Sequence, residues 1–218
     1  MPKRFDLVVF DWDGTLIDSA GAIVVCIQAA CRDLGLPVPE PERARHVIGL
    51  GLADSLAHAI PGLPPSEYPR VAERYRHHFI AVDASLPLFP GTREMLARLR
   101  GNGHTLAIAT GKSRAGLARA LANTGLKDLF DATRCADQCA PKPAPDMLLE
   151  LLDDVDAAPD RAVMIGDTSH DLEMATNAGV AAVAVGYGAH DPSRLAALAP
   201  LALVGSTEEL ARWLAANA

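Results

Sequence analysis

VVFDWDGTLIDS, residues 8–19, places Asp11 and Asp13 one residue apart, directly after an apolar run. The run reads as a buried strand and the Asp-Gly-Thr that follows as its turn. Stability gives no reason for two acids there, because neighbouring carboxylates repel and each resists leaving water. Either the pair lies on a solvated turn, or something positive is held between its oxygens.

Outward from this stretch, similar β-rich runs recur at Asp6–Phe10, Thr105–Ala109, Phe130–Cys135, Ala162–Ile165, Ala181–Val185 and Leu201–Val204. Between them lie helical patterns at Thr92–Arg100, Arg114–Asn123, Pro145–Val155, Ser169–Ala178 and Glu208–Ala216, the last opened by the capping sequence Ser206-Thr207-Glu208-Glu209. Continuous apolar strands alternating with helices predict an α/β fold, a doubly wound, Rossmann-like parallel sheet covered on both faces. Residues 18–85 break the alternation. Ile23, Val24, Ile27, Cys31 and Leu34 share a helical face, as do Val71, Tyr75, Phe79 and Val82, and Pro and Gly interrupt the pieces between. This predicts a helical cap over 18–85, inserted into a core made of 1–17 and 86–218.

The 218 residues are 50% hydrophobic and 22% charged, a globular composition. A net charge of -7 argues against a nucleic-acid partner, whose phosphates would be repelled. No apolar run has the roughly 18 residues of a membrane span, and only Leu7–Phe10 is continuously apolar near the start, too short for a signal peptide. The expected location is the cytoplasm, with Cys26, Cys31, Cys135 and Cys139 as reduced, mostly buried thiols.

Parallel sheets bind ligands at the carboxyl ends of their strands. The residues after each strand are Asp11, Asp13, Gly14 and Thr15; then Thr110, Gly111 and Lys112; then Lys142 between two prolines; then Asp167, with Asp171 four residues on. Of only four lysines (Lys3, Lys112, Lys127, Lys142), two fall in this set. A hard cation resolves the opening paradox, because Mg²⁺ takes one or two carboxylates with waters and a substrate phosphate. Asp11 and Asp167 are the expected carboxylate ligands. Thr110, the backbone N–H groups around Gly111 and Lys142 are expected to hold the phosphate.

DWDGT, then the apolar-AT-G of residues 107–111, KPAPD and GDTSHD resemble, in order, the four motifs of haloacid dehalogenase-superfamily phosphatases. The nearest subgroup is similar to phosphoglycolate phosphatase, with a helical cap after the first motif. The likeness covers nearly the whole chain, including LFPGTREML at residues 88–96. It implies a Mg²⁺-dependent phosphomonoester hydrolase acting on a small phosphorylated metabolite, 2-phosphoglycolate first among candidates, through an aspartyl phosphate. By resemblance Asp11 is the nucleophile and Asp13 the acid and then base, with its backbone carbonyl on Mg²⁺. Asp167 is a metal ligand, and Asp171 ligates through water or positions Lys142.

The plainer readings set beside these are a helix cap for Thr110-Gly111-Lys112, a first-turn acid for Asp171, a packing role for His170 and a structural thiol for Cys139. His77-His78 and Arg70, Arg74 and Arg76 read as helix surface. Arg45 and His46 are the cap residues offered for substrate contact. Among other functions, Asp13 counts against a metal-free dehalogenase. The lack of a lysine between Asp18 and Ser85 counts against a phosphonate hydrolase, and Leu52, where the mutase carries arginine, against a β-phosphoglucomutase. Pyrophosphate hydrolysis shares the motifs. A signalling receiver module would carry its phosphoacceptor at the end of the third strand, where Phe130–Cys135 has no aspartate.

Overall fold

The computed structural model describes residues 4–218. Its six strands are β1 (Leu7–Phe10), β2 (Thr105–Thr110), β3 (Ala132–Cys135), β4 (Ala162–Gly166), β5 (Ala181–Val185) and β6 (Ala202–Val204). They form one parallel sheet in the order β3-β2-β1-β4-β5-β6. The chain starts in the middle of the sheet and reverses direction at β1, so β1 and β4 meet at the switch point where such sheets bind ligands.

The ten helices among the described residues are α1 (Ala20–Asp33), α2 (Pro41–His46), α3 (Leu52–Ala59), α4 (Tyr68–Asp83), α5 (Thr92–Gly101), α6 (Arg114–Thr124), α7 (Asp146–Asp154), α8 (Ser169–Asn177), α9 (Pro192–Ala196) and α10 (Thr207–Asn217). Period-two alternation sorts the sheet's side chains into two cores. Val8, Phe10, Leu106, Ile108, Val163 and Ile165 pack with Leu96 of α5, Leu117 of α6 and Leu210 of α10. Leu7, Val9, Ala107, Ala109, Ala162 and Met164 pack with Met147 and Leu148 of α7 and Met174 of α8. Both faces are covered, which explains why the strands carry no polar alternation.

The start of β3 and the capping of α10 differ from expectation by more than a single end residue. β3 begins at Ala132, because Lys127–Leu129 forms a 3₁₀ turn and Asp131 accepts the Leu106 N–H through its side chain at 3.0 Å. At α10, Ser206 caps the Glu209 N–H as expected, but the Glu209 carboxylate takes the N–H of Gly205 at 2.6 Å. None of the helices among the described residues is long and apolar enough to cross a membrane. All four cysteines are free and three are buried.

Between β1 and α5 the chain is helical, apart from its turns. The apolar faces of α1 and α4 meet in a bundle with α2 and α3, with Ile23, Val24, Ala44 and Phe79 in one cluster and Val47, Leu56, Ala59 and Val71 in a second. Its two connections to the sheet run side by side: Asp18 N–H donates to Pro87 at 2.9 Å, and Phe89 N–H to Leu16 at 3.1 Å.

Candidate active site

Asp11 is the first residue beyond β1 and is buried, its N–H bonded to the Ile165 carbonyl of β4 at 2.9 Å. Lys142 arrives from the loop before α7 and is also buried. Its Nζ lies 2.8 Å from Asp11 Oδ1 and 2.6 Å from Asp171 Oδ1. Asp171 is committed on both oxygens, because Oδ2 accepts the Thr168 N–H at 3.0 Å and the Thr168 hydroxyl at 2.7 Å. The Thr168 hydroxyl oxygen in turn accepts the Asp171 N–H, closing a capping box on α8. Asp171 therefore caps α8 with one oxygen and bonds Lys142 with the other.

Asp167 follows β4 and points back toward Asp11. Its Oδ1 accepts the Thr15 hydroxyl at 2.8 Å, and its Oδ2 the Ala189 N–H at 2.6 Å. Gly14, at φ +80°, permits this approach, since a Cβ there would stand 2.2 Å from Asp167 Oδ2. Thr15 belongs to the set expected at the strand ends, without a partner assigned to it, and Ala189 was not singled out by sequence. A hydroxyl two residues past an aspartate gives little signal, and a backbone N–H gives none.

Carboxylate oxygens of Asp11, Asp167 and Asp171 all lie within 4.8 Å of one another. One ammonium faces this set, and burial sets the electrostatics. Burial pushes Asp11 up to about 7 against the pull of Lys142, with Asp171 adding to the rise. Burial and the neighbouring carboxylates hold Asp167 well above the usual carboxylate range. Burial alone would lower Lys142, but Asp11 and Asp171 outweigh it and hold the ammonium above its ordinary value. Asp11 Oδ2 is buried with no hydrogen-bond partner. A buried carboxylate oxygen without a partner is costly, and a cation beside it removes that cost. The donors are hard oxygens, which suit Mg²⁺.

Asp13 turns away from this cluster. Its Oδ1 accepts the Ser19 hydroxyl at 2.7 Å, and its Oδ2 lies 3.1 Å from Lys112 Nζ. Lys112 in turn sits 4.5 Å from the centre of the Phe79 ring. Ser113, not Thr110, caps α6 by accepting the Gly116 N–H, which leaves the Thr110 hydroxyl at the sheet edge, accepting the Lys112 N–H at 3.2 Å. The cap loop rests on this edge, and a Cβ on Gly111 would meet the Gly49 carbonyl oxygen at 2.6 Å.

Arg45 and His46 do not line the chamber that opens on Asp11 and Asp13. They border a separate cleft with His190 and Arg194, because the last turn of α2 carries them at the outer seam of cap and core. The His46 carbonyl accepts hydrogen bonds from His170 Nε2 at 2.9 Å and His190 Nε2 at 3.0 Å. His170 thus joins cap to core, a packing role. On the outer face of α4, Arg74 and His78 share Asp33.

The haloacid dehalogenase-like hydrolase family profile matches residues 8–185. "Probable phosphatase IndB" from Dickeya dadantii is 37% identical over 210 residues, covering 94% of this chain and 91% of that one. The "Phosphoglycolate phosphatase" of Chromobacterium violaceum is 33% identical over 205 residues, covering 89% and 91%. Among solved structures, a haloacid dehalogenase-like family hydrolase from Streptococcus pneumoniae is 25% identical, with a TM-score of 0.82 over 96% of this chain and 98% of that one.

Proposed function

Because the chain belongs to the haloacid dehalogenase-like hydrolases, we propose that it is a Mg²⁺-dependent phosphomonoester hydrolase for a small phosphorylated metabolite. The single observation that carries this is the Asp11 carboxylate, gripped by Lys142 on one oxygen and buried without a partner on the other. Asp11 and Asp167 are the side chains that would hold Mg²⁺, and Asp13 would add its backbone carbonyl. When bound, the ion supplies charge neutralisation for the carboxylates and for the phosphate.

In the reaction, an Asp11 carboxylate oxygen forms a bond to phosphorus while the bond from phosphorus to the alcohol oxygen breaks. Asp13 gives that oxygen its proton. It then takes a proton from water, whose oxygen displaces the Asp11 carboxylate and releases inorganic phosphate. Dividing the displacement in two lets one acid–base group serve both steps. Lys142 orients Asp11 and offsets its charge, and Asp171 fixes Lys142. Thr110 and the Gly111 backbone would receive the phosphate oxygens. Ser19 and Lys112 hold Asp13, so its proton transfers occur from a fixed place.

The names of relatives bring 2-phosphoglycolate forward as a first substrate to assay. A receiver module is disfavoured because β3 ends in buried Cys135, with no phosphoacceptor there. Free, mostly buried thiols suit a reducing compartment and support a cytoplasmic location. The test is turnover of p-nitrophenyl phosphate with Mg²⁺ and with excess chelator. We expect activity only with the metal, and its loss in Asp167→Asn. Equal activity after chelation would overturn the metal role.

A further inference from the structure

Beyond Asp11 and Asp13, the site opens into a cavity of about 180 Å³ that runs into the cap. Its polar end is the sheet edge, with Thr110, Gly111 and Lys112. Its wall on the cap side is built from Ile27, Val47, Leu56, Val71, Tyr75 and Phe79. Val47, Leu56, Val71 and Phe79 are buried. The Ser55 hydroxyl, also on the wall, is donated to the Val47 carbonyl at 3.1 Å. Lys112 marks the boundary, since its ammonium is held by Asp13 at 3.1 Å and covers the Phe79 ring. The other cationic lining groups, Arg76 and Arg119, are exposed, and Arg119 faces Asp83 at 3.7 Å.

We infer that this chamber receives the alcohol portion of the ester and selects an apolar one, a ring or an alkyl chain of about six carbons. The inference rests on the phosphatase reading of the same site. Its basis is continuity, because an ester with its phosphorus at Asp11 and its leaving oxygen at Asp13 directs the rest of the molecule into this space. A cavity of roughly 150 Å³ walled by Leu, Ile and Phe accommodates benzene, so the volume suits such a group. Glycolate fits poorly. Its carboxylate would lose water among aliphatic side chains while the nearest ammonium is engaged by Asp13. The chamber therefore favours apolar phosphate esters over 2-phosphoglycolate.

The experiment is kcat/KM, with Mg²⁺, for the n-alkyl phosphates from methyl to hexyl, for 2-phosphoglycolate and for p-nitrophenyl phosphate. Leaving-group basicity changes little along the alkyl series, so its slope reads contact with the chamber. The expected rise is roughly threefold to fourfold per methylene, the equivalent of about 0.8 kcal/mol. Hexyl phosphate should also exceed 2-phosphoglycolate by at least about tenfold. Leu56→Phe, which fills the chamber, should lower the hexyl-to-methyl ratio, an effect that simple destabilisation would not produce. A flat series, or faster turnover of 2-phosphoglycolate than of hexyl phosphate, overturns the apolar chamber and leaves the phosphatase reading standing. Failure to hydrolyse any of these esters, p-nitrophenyl phosphate included, overturns that reading and this inference together.

Discussion

Asp171 holds Lys142: the ammonium stands 2.6 Å from Asp171 Oδ1, while the other oxygen of the same carboxylate caps α8 through Thr168. A helix terminus and the cation of the site are thus tied to one side chain. The position of Lys142 against Asp11 is inherited from the position of α8 against the sheet.

Replacing Lys142 by Met should therefore damage more than chemistry. Asp11 and Asp171 would face each other without the buried cation that separates them. Breaking a buried ion pair from one side costs about 3–5 kcal/mol, so thermal melts should fall by roughly 10 °C. Mg²⁺ should recover part of this loss by partly neutralising Asp11. An unchanged melting temperature without metal would show that Lys142 contributes little to neutralising the carboxylates.

His190 supplies a pH dependence. Burial, then the neighbouring His170, pushes it down to about 4. Between that value and the ordinary histidine range near 6.5, the unfolded chain binds more protons than the folded one. This contribution to stability is present above about pH 6.5 and is lost as pH falls toward 4. Its size is on the order of 3 kcal/mol. His190→Gln retains a donor for the His46 carbonyl but does not titrate. Melting temperatures measured from pH 7 to pH 4.5 should fall more steeply for the parent protein than for the variant. Parallel curves would refute the assignment.

Gly51 tests the seating of the cap without touching the carboxylates. Its backbone is ordinary, with φ -63°, yet a Cβ would stand 2.8 Å from Pro141 Cβ. Gly51→Ala should leave the fold intact and lower its melting temperature by a few degrees while displacing the cap loop from the sheet edge. Misplacement by about 1 Å can cost on the order of 10²-fold in rate, so kcat/KM should drop by 10- to 100-fold. Normal kinetics would show that turnover does not need this contact.

How much of this was legible in sequence depends on the kind of contact involved. The ends of β1, β2 and β4 were readable because those apolar runs stop at Asp11, Thr110 and Gly166-Asp167, where a buried strand would carry no such group. Asp11, Asp167 and Lys142 converge as the strand order requires. The long helices α1 and α4 showed their apolar faces. The shorter α2 and α3 did not, because six and eight residues broken by Pro and Gly give too few turns for a period to emerge. Thr15 was placed at the strand end but its pairing with Asp167 was not foreseen, and Ser19 acts through a single hydroxyl aimed at Asp13 that nothing in its spacing announces. Cap and core meet where His46, His170 and His190 come together from distant positions. Arg45 and His46 were accordingly expected at the substrate, when their turn faces the seam instead.

In the proposed reaction Asp11 takes the phosphoryl group onto its own carboxylate. Acid quenching of a single turnover with a radiophosphorus-labelled ester, followed by peptide mapping, tests it most directly. With p-nitrophenyl phosphate, whose leaving group needs no acid, label is expected on the peptide that contains Asp11, more of it in Asp13→Asn, where water is no longer activated, and none in Asp11→Asn. Full turnover by Asp11→Asn, or label retained by that variant, would contradict it.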